Sequence, residues 1–199
     1  MAGAFPISNS QFSTMGIRTS QDTIITITDS GKKLSRQIDG QRFGFTAQII
    51  TAKRSDVYGE LMAFIMKQRS SRENFTIVPP EVSNARGTAS GTPTGTASAG
   101  DTSITLGGSG SGTLKAGDMI KFDNHDKVYM VVADQSDIST GTLTIEPPLT
   151  TAVSSTDITY DNVPFTVYLT NDIQEFGVVG ADKDGNALYQ FEFDVEEAL

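Results

Sequence analysis

The chain has 199 residues, a formal net charge of −9 and no cysteine. That length holds one large domain or two small ones, and the absence of thiols excludes disulfides, cysteine nucleophiles and thiolate metal sites. The lack of cysteine is compatible with assembly in the cytoplasm; no run approaches the ~18 consecutive apolar residues of a membrane span, and MAGAFPISNSQF lacks the basic and apolar regions of a signal peptide.

The charge is unevenly spread. Residues 1–80 hold ten Lys/Arg against six Asp/Glu, a net of +4, and residues 81–199 hold five against eighteen, a net of −13. Unlike faces of this kind steer identical subunits together head to tail; an ordinary acidic surface accounts for the numbers equally well. No dense Lys/Arg cluster appears, which argues against a nucleic-acid-binding face.

Along the chain, TIITIT (23–28) is β-branched at every position and reads as a strand followed by the turn SGKK (30–33). RFGFTAQI (42–49) places Phe43, Phe45, Ala47 and Ile49 on one face by the two-residue period, the mark of a half-buried strand. The period then changes. In SDVYGELMAFIMKQR (55–69), Ser55 is the expected N-cap, and Lys67 and Arg69 complement the C-terminal end. Val57, Leu61, Phe64 and Ile65 form a helical stripe, widened by Tyr58, Met62 and Met66. An arc this broad fits a core helix or one that also meets a neighbouring subunit. NFTIVPP (74–80) is a strand stopped by two prolines.

GTASGTPTGTASAGDTSITLGGSGSG (87–112) has only four residues that are not Gly, Ser, Thr or Ala. Residues 87–100 read as a low-complexity connection, after which Ile104 and Leu106 begin a strand. Five short strands are expected in DTSITL, LKAGDMIKF, KVYMVVAD, GTLTIEPPL and TDITY, making a small barrel or compact sandwich over 101–160. VPFTVYLT (163–170) and ALYQFEFDVEEA (187–198) then supply strands with strong apolar faces, the second preceded by the turn DKDGN. These late strands need a partner sheet, and so does the N-terminal segment. The economical solution pairs them: a mainly β fold, a β-sandwich or split barrel with one packed α-helix, built from 1–86 with 161–199 and carrying an inserted all-β module at 101–160.

No catalytic constellation stands out. His125 is the only histidine, and in FDNHDKVY it reads as a hairpin-tip residue rather than a metal ligand or base. DKDGN starts like a calcium loop, but position six is Ala187 and position twelve is Phe193, so the register fails. The glycines at 107, 108, 110 and 112 lack the Lys-Ser/Thr pair of a phosphate loop. The expectation is a non-enzyme with no metal and no cofactor. On the last strand Glu192, Asp194 and Glu196 share one side; they are a solvated face or, in a ring, a channel lining that repels a polyanion.

LSRQIDGQRFGFTAQI, VYGELMAFIMKQR and NFTIVPP resemble the N-terminal part of tail proteins of tailed bacteriophages near the baseplate. LKAGDMIKFDNHDKVYMVVAD and GTLTIEPPL resemble an inserted β-module in such proteins, and VPFTVYLTNDIQEF the return into the first domain. The resemblance implies a split-barrel or tube-like fold assembled as a ring, often hexameric, around the DNA channel, in a distal tail protein, tube initiator or baseplate component. The expected partners are copies of the chain and other tail or baseplate proteins, with DNA passing through without specific binding, and the expected location is the virion tail. The alternatives are a head or neck connector or decoration protein, and a carbohydrate-binding module using Tyr129 or Tyr160.

Overall fold

The computed structural model describes residues 3–38 and 40–199; residues 1, 2 and 39 of the expected first domain lie outside the described residues. Its largest sheet is antiparallel, in the order β1 (Phe12–Ser20), β4 (Arg42–Lys53), β14 (Ala187–Glu197), β12 (Phe165–Leu169), β5 (Phe75–Ile77). A sixth strand, β13 (Phe176–Ala181), pairs with the first half of β14. The alternation in β4 is realised: Phe43, Phe45, Ala47 and Ile49 are all buried. They pack with Phe191, Phe193 and Val195 of β14 and Phe165, Val167 and Leu169 of β12 in one core.

A π-helical turn (Arg54–Tyr58) leads from β4 into α1 (Gly59–Gln68). Ser55 is not the cap. The helical path already starts at Arg54, and the Ser55 hydroxyl donates to Asp56 instead, at 2.9 Å. Arg69 ends the helix in the left-handed region at φ 52°. Phe5, near the N-terminus, stacks among Phe12, Phe75 and Phe193, and Phe64 of α1 meets it edge-on at 5.6 Å. Helix and N-terminal segment thus cover the apolar side of the sheet.

β5 and β12 are hydrogen-bonded neighbours, yet a whole barrel lies between them in the chain. Its six strands close in the order β10 (Thr142–Glu146), β7 (Ser103–Gly108), β6 (Pro93–Ala97), β11 (Val153–Thr159), β8 (Met119–Phe122), β9 (Val128–Val131). Ile104, Ile120, Phe122, Tyr129, Leu143 and Ile145 fill it without exposure. Closure leaves no free edge.

β6 falls inside the stretch expected to be a loose connection, and this corrects that reading. Pro93–Ala97 pairs with both β7 and β11, and Ser90 bridges Ser111. The small residues serve close packing. A Cβ at Gly95 would sit 2.6 Å from Phe122 Cε1 and 2.9 Å from Ile104 Cγ2, so glycine makes room for the phenylalanine that fills the barrel.

β2 (Thr23–Ile27) and β3 (Lys33–Gln37) form a separate two-stranded hairpin, exposed at every position.

Candidate functional site at the barrel junction

Two chain crossings join barrel and sheet, and they are tied to each other. The Ala85 amide donates to the Tyr160 carbonyl at 3.0 Å and the Val163 amide to the Ser83 carbonyl at 3.0 Å. The Asn162 amide donates to Asn84 Oδ1 at 3.0 Å. Beside them Asp118, its side chain fully buried, accepts from the Arg86 amide at 3.1 Å, Arg86 Nε at 3.2 Å and the Lys115 amide at 2.7 Å. A carboxylate so placed holds the entering strand against the β8 turn.

The second tie is an ion pair between Lys127, just before β9, and Glu197, at the end of β14, with side chains 3% and 0% exposed. Glu197 Oε1 also accepts from the Val128 amide at 2.8 Å, and Oε2 from the Phe43 amide at 3.2 Å. The Lys127 ammonium lies 5.0 Å from the centre of the Phe43 ring. Burial pushes the Lys127 pKa down, and Glu197 partly restores it. Around this pair Met119 and Val128 of the barrel join the sheet's apolar core. One carboxylate therefore clamps β14, β4 and β9 together. Breaking a buried pair leaves an uncompensated charge, so the arrangement resists hinging.

The expected interface helix divides in two. Val57, Tyr58, Leu61 and Ile65 are buried in the chain's own core, and the Tyr58 hydroxyl donates to the Ile50 carbonyl at 2.9 Å. Met62 and Phe64 are partly buried against the same core, and Met66 is 77% exposed.

The acidic stripe is largely compensated. Asp194 Oδ1 lies 3.1 Å from Arg18 Nη1 and accepts from Thr46 Oγ1 at 2.5 Å. Glu196 lies 3.6 Å from Arg42, and Glu192 is exposed. The face is not a bare row of carboxylates, because β1 and β4 bring two arginines across it, a pairing across strands that one strand's sequence does not reveal.

His125 sits in the β8–β9 turn, its Nδ1 2.6 Å from Asn124 Oδ1 and its Nε2 2.8 Å from the Tyr129 hydroxyl; burial lowers its pKa. Asp182 accepts from Asn186 Nδ2 at 3.0 Å, pairs with Lys53 at 2.5 Å, and accepts from the Asn186 and Asp184 backbone amides at 2.8 Å each, which holds it well below the usual carboxylate range. DKDGN is a hairpin turn pinned by its own carboxylate. Among the described residues no three His, Cys, Asp or Glu are grouped to hold a metal, and no helix is long and apolar enough to cross a membrane. Tyr129 is fully buried, and Tyr160 is half-buried with its hydroxyl donating to the Gly91 carbonyl at 2.9 Å. Tyr129 therefore presents no ring face for a sugar, which removes one of the two tyrosines of the carbohydrate reading.

The Lys127–Glu197 clamp escaped sequence reasoning. Its one trace is Glu197 itself, which follows Glu196 and so breaks the outward alternation of the last strand.

The closed barrel is thus carried between two paired strands, with Asp118 and Lys127 tied into the junction. Residues 81–163 match the family model described as distal tail protein pb9, B domain; the match encloses all six barrel strands and both crossings. It supports the resemblance to phage proteins of the distal tail near the baseplate, and it indicates a phage distal tail structural protein. No curated protein matches the chain.

Proposed function

We propose that the chain is a ring-forming subunit at the junction of tail tube and baseplate, built from a sheet domain (1–86 with 161–199) that makes the ring and a barrel that faces outward. The observation that carries this reading is the match over 81–163, because the matched segment coincides with the barrel and its crossings. Six copies surround the DNA channel, and DNA passes without base-specific contact. The remaining partners are other tail or baseplate proteins. The work is done by packing and subunit contact, with no catalysis and no cofactor, in the virion tail after assembly in the host cytoplasm. The rigid junction supports the reading, since a barrel clamped by Lys127 and Glu197 holds a fixed direction for its neighbours.

Native mass spectrometry of the purified protein, with electron microscopy of the same sample, tests the ring. A closed hexamer is expected; a monomer at every attainable concentration overturns it. Labelling the protein in whole particles tests the location: signal at the distal end of the tail is expected, and signal at the head or neck supports a connector or decoration protein instead.

A further inference from the structure

The β2–β3 hairpin is anomalous as a solitary element. Ile24, Ile25 and Ile27 are 54%, 54% and 69% exposed and Leu34 is 48% exposed, and no other strand pairs with either β2 or β3 among the described residues. An isolated two-stranded hairpin is marginal in water, and β-branched side chains open to solvent on both its faces invite a partner. The hairpin is also cationic: residues 23–37 hold Lys32, Lys33 and Arg36 against Asp29, a net of +2.

A complementary surface lies at the opposite corner of the same molecule. β13 pairs only with β14, so its outer edge is free among the described residues. Val178 and Val179 on it are 60% and 52% exposed. Beside it Glu175, Gly177, Val179 and Glu192 border an open depression of about 220 Å³. Residues 172–192 hold five carboxylates against Lys183, a net of −4.

The two surfaces cannot meet within one chain. The hairpin leaves β1, an outer strand of the sheet, at Ser20, which pairs with Arg42 at the start of β4. β13 lies across β14 beside the other end of β4, where Leu188 pairs with Lys53. At ~3.3 Å per residue, the twelve residues of β4 put roughly 40 Å between those ends.

We propose that the β2–β3 hairpin of one subunit docks on β13 and the depression beside it in the next copy of this chain. Such a contact joins unlike surfaces head to tail, the kind that closes into a ring when the rotation permits. The apolar isoleucines meet Val178 and Val179, and the hairpin cations meet Glu175 and Glu192. This inference rests on the ring reading and names the contact that carries it.

The test places a photoreactive benzoylphenylalanine at position 25 and mixes isotopically heavy and light protein before illumination. Cross-linked peptides pairing position 25 of one isotope with residues 172–192 of the other are expected. A hexamer whose cross-links map elsewhere overturns the docking contact and leaves the ring intact; a chain that stays monomeric overturns both. The double variant Ile25→Asp, Ile27→Asp gives a second readout. It should raise the concentration needed for ring assembly roughly 100-fold, while the unfolding of the dissociated subunit stays unchanged because both side chains are exposed. Rings that form at the unmodified concentration overturn the proposal.

Discussion

Replacing Glu197 with glutamine removes the charge that compensates Lys127 while nearly conserving shape. The amide turns an NH₂ group toward donors that the carboxylate satisfied: the Val128 amide, the Phe43 amide and the lysine itself. Removing one partner of a buried ion pair costs about 3–5 kcal/mol. For a chain of this length each kcal/mol moves Tm by about 2–4 °C, so a loss of roughly 6–20 °C is expected. The double variant Lys127→Met, Glu197→Gln should recover much of it, because the stranded charge is gone. The deficit also has a pH signature. In the unfolded chain Lys127 titrates near 10.5, and in the fold its value is lower. Between the two values the unfolded chain binds more protons, so stability rises with pH there. Loss of Glu197 lowers the folded value further, so the deficit of Glu197→Gln narrows as pH rises toward 10.5. Denaturant unfolding across that range is the assay. A deficit under about 1 kcal/mol at neutral pH, or one that widens with pH, refutes the clamp.

Gly95→Ala should destabilise the barrel by about 1–3 kcal/mol through overpacking, since its Cβ would meet Phe122 and Ile104. Gly180→Ala, with nothing within 4 Å of the added carbon, should stay within about 0.5 kcal/mol, and thermal unfolding compares the two. His125 has a folded pKa below its ordinary 6.5. Its contribution to stability is therefore present above 6.5 and lost as pH falls from there toward the folded value. His125→Gln should flatten the fall in Tm between neutral and mildly acidic pH, and an NMR titration of this lone histidine checks the direction independently.

Much of the sheet was legible in the sequence because its strands bury one face. Phe43, Phe45, Ala47 and Ile49 alternate with polar residues, and a period of two is the spacing of a strand with one side in the core. The change to helical spacing after residue 54 was equally plain, although Ser55 misled as a cap, because a π-helical turn precedes the regular helix. β1 was missed: FSTMGIRTS is an outer strand, mostly exposed, and a strand that buries little leaves no pattern. β6 was missed for the opposite reason. Gly95 yields interior space to Phe122 while Thr94 and Thr96 alternate outward, so its composition looks like slack chain although its backbone pairs on both sides.

Composition and periodicity by themselves pointed to a mainly β chain with one helix and a run of short strands between two halves of a sheet. Those properties are local, because each strand or helix carries its own hydrophobic period. The tertiary structure alone decided that Pro93–Ala97 within the glycine-threonine run is a barrel strand, that Arg18 and Arg42 face Asp194 and Glu196, and that Lys127 meets Glu197. Each of these joins groups far apart in the chain, and only the closed barrel and the strand order bring them within reach.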